Sequence, residues 1–208
     1  MQETKRQNRA FLEMRKAALE RLSGKSAEDI AGRTGLAFHG ETNTFSLFSL
    51  GKEIRIGYPQ YDMTPELNDW HHLLVLHYLD MADGAALSGE LMAFGEQSGG
   101  MVRGGGFDRE SERILSRDFG NLPPEQVEAA CRALGSRIVP SNADLCAVFD
   151  FFPRYPITLK LWFADEEIPG SGRLMLDKSA GHFLSVEDAV TAGTLLLEEL
   201  SRACWAVL

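Results

Sequence analysis

A chain of 208 residues with 44% hydrophobic and 25% charged residues can bury a sizeable core and suits one domain, or two small ones at most. That balance excludes disorder over most of the length. The net charge of -9 argues against nucleic acid as a partner, because the phosphate backbone is bound through basic patches. The basic cluster Lys5, Arg6, Arg9, Arg15 and Lys16 is interrupted by Glu3, Glu13 and Glu20, which reads as a solvated helix face. The start, MQETKRQNRA, is too polar for a signal peptide. The strongest apolar run, Leu73 to Leu79 with His77 inside it, falls short of the roughly 20 residues of a membrane span. The expectation is a cytoplasmic protein that neither crosses nor binds a membrane. Cys131, Cys146 and Cys204 lie far apart with no C-x-x-C, so they read as small buried hydrophobes in a reducing compartment rather than as a disulfide or metal framework.

Residues 3–23 repeat Ala10, Phe11, Met14, Ala18 and Leu22 at helical spacing, which predicts an amphipathic helix stopped by Gly24. Ser26-Ala27-Glu28-Asp29 resembles a capping box for a short second helix that Gly32 and Gly35 end. Residues 36–58 alternate apolar and polar side chains around a turn at Leu50-Gly51-Lys52, a hairpin pattern. Thr64-Pro65-Glu66 predicts the start of a helix running to about Asp83: N-cap, proline at the first position, acid in the first turn. Its middle, LLVLHYL, is apolar nearly all round and marks a buried central helix.

Residues 89–94 suggest a short strand, and a glycine-rich stretch, Gly95 to Gly106, leads to helices at about 107–118 and from Pro124 to about Leu134. Strands are expected at 145–152 and 157–164, separated by Pro153 and Pro156, and at 173–176 after the Pro169-Gly170 turn. A last helix begins at Ser185. Helices and strands mix without strict alternation, and strands lie close enough for hairpins. The expected fold is one α+β domain over residues 1–208, a largely antiparallel sheet packed with a buried central helix and several surrounding helices.

The second half carries a pattern. Phe151-Phe152-Pro153, Pro156-Ile157 and Leu161-Trp162-Phe163-Ala164-Asp165-Glu166-Glu167-Ile168-Pro169 form its first part; Leu174 to Ala180 and His182 to Asp188 form its second. Leu74 to Leu79 and Ser88-Gly89-Glu90 fit as well. Together, over about residues 25–203, these segments resemble the domain of unknown function 3786 family, a prokaryotic group seen mostly in anaerobes. The resemblance brings no activity with it. It implies company with iron–sulfur modules and with corrinoid or one-carbon metabolism. An iron–sulfur group would belong to a partner protein, since this chain has no cysteine cluster, and the resemblance makes an iron–sulfur or corrinoid protein a possible partner.

Three groups of residues could carry chemistry. His77 shares a helix face with Trp70, Leu73, Leu74 and Met81, so its imidazole needs a partner. The plain reading is a core histidine bonded to an acid or a backbone group; the functional one is a pocket ligand or acid/base. His71 and His72 precede it at spacings that place no two imidazoles on one face, and they read as exposed. Asp165, Glu166 and Glu167 follow an apolar strand; in extended backbone Asp165 and Glu167 would point the same way and hold a hard cation or share a proton. The plain alternative is a solvated turn tied to backbone N–H groups. In the glycine-rich stretch, N–H groups before a helix could receive an anion, with Arg103 adding donors, yet no phosphate-loop spacing is present and a flexible loop is the simpler reading. His39 and His182 read as structural or exposed, and Trp162 and the aromatics at 149–152 as core.

These residues suggest a ligand- or cofactor-binding protein, with a site between the central helix and the sheet made from His77, Arg103, Asp165, Glu166 and Glu167. A small molecule, a tetrapyrrole or a corrinoid would be its ligand, the last two only by the resemblance. The alternatives are an acid/base or divalent-metal enzyme built on the acidic triplet, and a docking partner of a redox or one-carbon enzyme.

Overall fold

The computed structural model describes residues 2–206, without the side chains of residues 2–8 and Ala10. The side chains of Lys5 and Arg6 of the basic cluster and of Ala10 of the helical stripe are therefore outside what is described. α1 (Gln2–Leu22) is the amphipathic helix read from the sequence. Phe11, Ala18 and Leu22 are buried while Met14 stays exposed, and the basic face makes i, i+4 pairs with Glu13 and Glu20. α2 (Ala27–Thr34) is capped by Ser26 Oγ, which accepts the Asp29 N–H at 3.1 Å. Asp29 turns instead to Arg33, so the reciprocal half of the box is missing.

The first sheet has the order β1 (Ala37–His39), β2 (Thr44–Ser49), β3 (Lys52–Gly57), β4 (Met63–Thr64), all antiparallel. Its hairpin turns at Leu50 and Gly51, with φ of 48° and 75°. Positive φ at both central residues is what a two-residue hairpin turn demands. Gly51 also abuts the Ala133 carbonyl, which a Cβ would meet at 2.6 Å.

α3 (Asp69–Met81) starts four residues later than the Thr64 signal predicts, with Asn68 rather than Thr64 as its N-cap. Thr64 is spent in the ladder with Arg55. Asn68, a stronger cap than threonine, accepts the His71 N–H through its side chain at 2.8 Å. The helix is buried from Leu73 to Leu76 and at Tyr78 and Leu79, as the apolar run requires.

The second sheet has the order β5 (Leu91–Met92), β9 (Ser171–Asp177), β8 (Tyr155–Trp162), β7 (Leu145–Phe152), β6 (Arg137–Ile138), again antiparallel throughout. Pro156 lies within β8, opposite Asp150 at the edge of a bulge, rather than separating two strands. Between β5 and β6 come a 3-10 turn (Phe94–Glu96), α4 (Arg103–Ile114), a π-helical turn (Leu115–Phe119) and α5 (Pro124–Ala133). α6 (Val186–Ala206) closes the chain and packs against α3, α4 and α5. The protein is α+β, with two antiparallel sheets where one was expected. One cluster of buried side chains draws on both sheets and includes Phe45, Ile56, Tyr78, Phe149, Leu159 and Leu196. All three cysteines are buried and unbonded, and burial raises the thiols of Cys131 and Cys204 to about 12 and about 11. Among the described residues, no helix is long and apolar enough to cross a membrane.

Candidate functional site

The three groups singled out in the sequence fall in three places. His77 faces α6, where its Nδ1 lies 2.7 Å from Asp188 Oδ1, and both side chains are nearly covered, at 14% and 10% exposure. The other Asp188 oxygen accepts from Ser185 Oγ at 2.7 Å, and Ser185 Oγ accepts the Asp188 N–H in return. The carboxylate thus caps its own helix and anchors α3 at once. A second imidazole–carboxylate pair, His182 Nδ1 to Asp83 Oδ2 at 2.7 Å, ties the turn before α6 to the chain just beyond α3. His71 corrects the expectation of exposure: it is 3% exposed, meets Ser49 Oγ at 3.0 Å and packs tilted against the Phe151 ring. Burial, with Lys52 and His72 nearby, lowers its pKa to about 4.

The glycine-rich stretch is not a loose loop. The 3-10 turn rests on the start of α4, and a Cβ on Gly104 would collide with the Phe94 carbonyl. Asp108 accepts the N–H groups of Phe94 and Gly95 at 3.0 and 2.8 Å. The anion that such backbone could receive is supplied by the chain itself. Arg103 stands exposed in the first turn of α4, with no ion pair among the described residues.

The acidic triplet is not extended, because β8 ends at Trp162. Asp165 Oδ1 accepts the N–H groups of Glu167 and Ile168 at 2.9 and 2.7 Å, and the Asp165 N–H donates to the Ile168 carbonyl. Those two N–H groups hold the Asp165 carboxyl below its ordinary range. Glu166 and Glu167 project into solvent. Among the described residues, no three His, Cys, Asp or Glu side chains gather as a metal site needs.

This turn forms one wall of an open groove of about 740 Å³. Trp162 and Phe163, both half-buried, supply the apolar surface. Asp144, Asp165, Glu112 and Arg173 supply the charge, the last two paired at 2.9 Å. Asp144 accepts the Phe163 N–H, and the Trp162 indole donates to the Asn142 carbonyl, so both aromatic residues are held in place. The wall is fixed from behind. Ala164 N–H donates to the Gly120 carbonyl and Ser116 Oγ to that of Gly170. Gly120 and Gly170 touch so closely that a Cβ on Gly170 would meet Gly120 Cα at 2.6 Å.

Of the five site residues read from the sequence, only Asp165 lines a described cavity. Trp162, read as core, lies on the groove instead. The signal was present, since Trp162 alternates with buried Leu161 and shares the strand face of Lys160. Glu112, Asp144 and Arg173 gave no signal, because three separate segments bring them together. Asp177 was also missed. It is 5% exposed and accepts from the backbone and hydroxyl of Ser88, the Gly89 N–H, and the backbone and hydroxyl of Ser179. Burial raises its carboxyl, but the bonds from Ser179 and Ser88 outweigh that and bring it to about 2.

The fold and groove define an α+β protein of two antiparallel sheets with a polar, aromatic-walled cleft at one sheet end. A profile for the domain of unknown function DUF3786 matches residues 26–199, and the chain belongs to that family. No curated protein and no solved structure matches it significantly.

Proposed function

We propose that this chain is a ligand-binding accessory protein of cytoplasmic, anaerobic prokaryotic metabolism, and that its ligand docks in the groove beside the Asp165 turn. The observation that supports this reading is the groove's make-up: aromatic surface from Trp162 and Phe163 beside four charged side chains, all on a wall braced by backbone contacts. Apolar surface with a few convergent polar groups is what small-molecule sites use. The carboxylates outnumber the arginine, which favours a ligand with hydroxyl or cationic donors. The company of iron–sulfur and corrinoid proteins, implied by the family resemblance, makes a redox or one-carbon enzyme the partner served. Glu166 and Glu167, exposed next to Asp165, would be available to that partner, while His77 and Arg103 fall outside this site.

The test is purification from the native host without oxygen, followed by absorption spectroscopy and mass analysis of what the protein carries. A stoichiometric small molecule that is lost in Trp162→Ala and in Asp165→Asn supports the proposal. A protein carrying nothing, or a ligand retained by both variants, sinks it.

A second reading has its own observation. Met101 and Val102, adjacent at the tip before α4, are each 84% exposed. Such an apolar tip fits docking to the same class of partner enzyme. A Met101→Asp, Val102→Asp double variant that still co-purifies with that enzyme would remove it.

A further inference from the structure

α1 differs from the rest of the fold in how it is held. The matched family segment begins at residue 26, so the whole helix and its link to α2 stand outside it. α1 packs on α3. Its inward stripe is Phe11, Arg15, Ala18 and Leu22, in which Arg15 occupies a place that the pattern gives to an apolar side chain. Arg15 Nε is buried with no hydrogen-bond partner among the described residues. On α3, His72, read from the sequence as exposed, is half-buried, and its Nε2 is likewise buried and unpaired.

The charged groups that bear on His72 are Arg15 from α1, Asp69 from α3 and Glu66 from the segment before it. His71, its neighbour in sequence, turns away to Ser49. Burial first, and Arg15 next, lower the His72 pKa, and the two acids offset only part of this. The docked helix therefore holds the neutral imidazole. An imidazolium there would have a buried N–H without an acceptor and a guanidinium nearby, and both penalties are relieved when α1 moves away.

The chain beyond α1 is arranged to let it move. Gly24, at a φ of 85°, follows the helix with open space around it. The next residue is pinned: Lys25 Nζ donates to Asp80 Oδ1 at 2.7 Å, and the Lys25 carbonyl accepts the Tyr58 hydroxyl at 2.9 Å. Arg21, on α1, donates to the other Asp80 oxygen. Asp80 thus keeps a cation when α1 leaves. Release is opposed by the burial of Phe11, Ala18 and Leu22 and by the edge contact of Phe11 with Trp70, rings 6.2 Å apart.

We propose that α1 is an acid-released strap: protonation of His72 near Arg15 undocks the helix from α3 about a hinge at Gly24, while the rest of the fold stays closed. Release uncovers Trp70 and the apolar stripe of α1 itself, so weak acid presents a surface that neutral pH conceals.

The experiment follows amide hydrogen exchange in the full chain from about pH 7.5 to about pH 5, expressed as protection factors so that the intrinsic pH dependence of exchange cancels. A helix of this length is marginal in water without packing, so undocking shows as lost protection in α1. The expected result is a fall in α1 protection of up to about tenfold per pH unit below the ordinary histidine value near 6.5. Strand β8, which reports the core, stays at least about tenfold better protected throughout. His72→Gln removes the fall in α1. Arg15→Leu, which fills the stripe, raises α1 protection at every pH. The proposal is overturned if α1 protection does not fall, if it falls as steeply in His72→Gln, or if Arg15→Leu lowers it. It is overturned equally if α1 and β8 exchange at one shared rate, which would mean that acid opens the whole domain.

Discussion

The junction of α3 with α6 and the groove beyond β8 use the same residue types to opposite ends. At the junction, His77, Asp188 and Ser185 are covered and bonded to one another. At the groove, Asp144, Asp165, Glu112 and Arg173 have structural bonds but keep much of their surface in solvent. A polar group that is buried and saturated has its capacity spent on the fold; one that is fixed yet exposed has capacity left for a ligand. The segments that carry the family resemblance fall mostly on the first side. Ser88-Gly89 meets Asp177 and Ser179, Glu90 meets Lys178 at 2.6 Å, and His77 meets Asp188. They staple distant parts of the chain.

The contrast can be broken by mutation. The largest effect is expected at the junction: His77→Ala leaves the Asp188 carboxylate buried with one side unpartnered and should cost about 3 kcal/mol of unfolding free energy in urea titrations. A neutral result there would return His77 to the list of ligand residues. A loss of similar size should come from acid acting on His71. Its folded pKa of about 4 lies below the unfolded value near 6.5, so the unfolded chain takes the proton first. The stability is whole above pH 6.5 and drains away as pH falls to about 4, to a total of about 3 kcal/mol. His71→Gln should flatten that slope.

Asp177 acts lower on the scale. Its carboxyl sits near 2 when folded against about 3.9 unfolded, so its contribution is present above pH 4 and fades between 4 and 2. Asp177→Asn should cost about 2 kcal/mol at neutral pH. The smallest stability effects belong to the groove. Asp165→Asn and Trp162→Ala should leave the urea midpoint almost in place while removing bound ligand. A large drop in midpoint would make this wall structural and erase the distinction.

Much of the fold was legible in the sequence. The stripe of Phe11, Ala18 and Leu22, the turn at Leu50-Gly51, the Ser26 cap and the long strands at β7 and β8 follow from local rules that act within a few residues. Errors arose where a local signal was outbid at longer range. Thr64 was drawn into a ladder with Arg55, and Asn68 took over as cap. Gly95, Gly100 and Gly104 looked like slack but are the small residues that let a 3-10 turn lie against a helix. The candidate site was the least legible part. Glu112, Asp144 and Arg173 converge only through tertiary packing, and none stands in a motif. Of the conspicuous acids only Asp165 reached the groove, because its neighbours were turned outward by the tight bend that its own carboxylate stabilises.

The contact of Gly120 with Gly170 sets a dimension. With two backbones touching and no side chain between them, the spacing of the groove wall from the helical turn behind it is fixed by the thickness of the chain alone. Lining residues can change freely and alter what the cleft prefers, but its gauge stays constant, as the bore of a pipe stays constant under a new coating. A single methyl group at either glycine would act as a shim that reshapes the opening for every ligand at once.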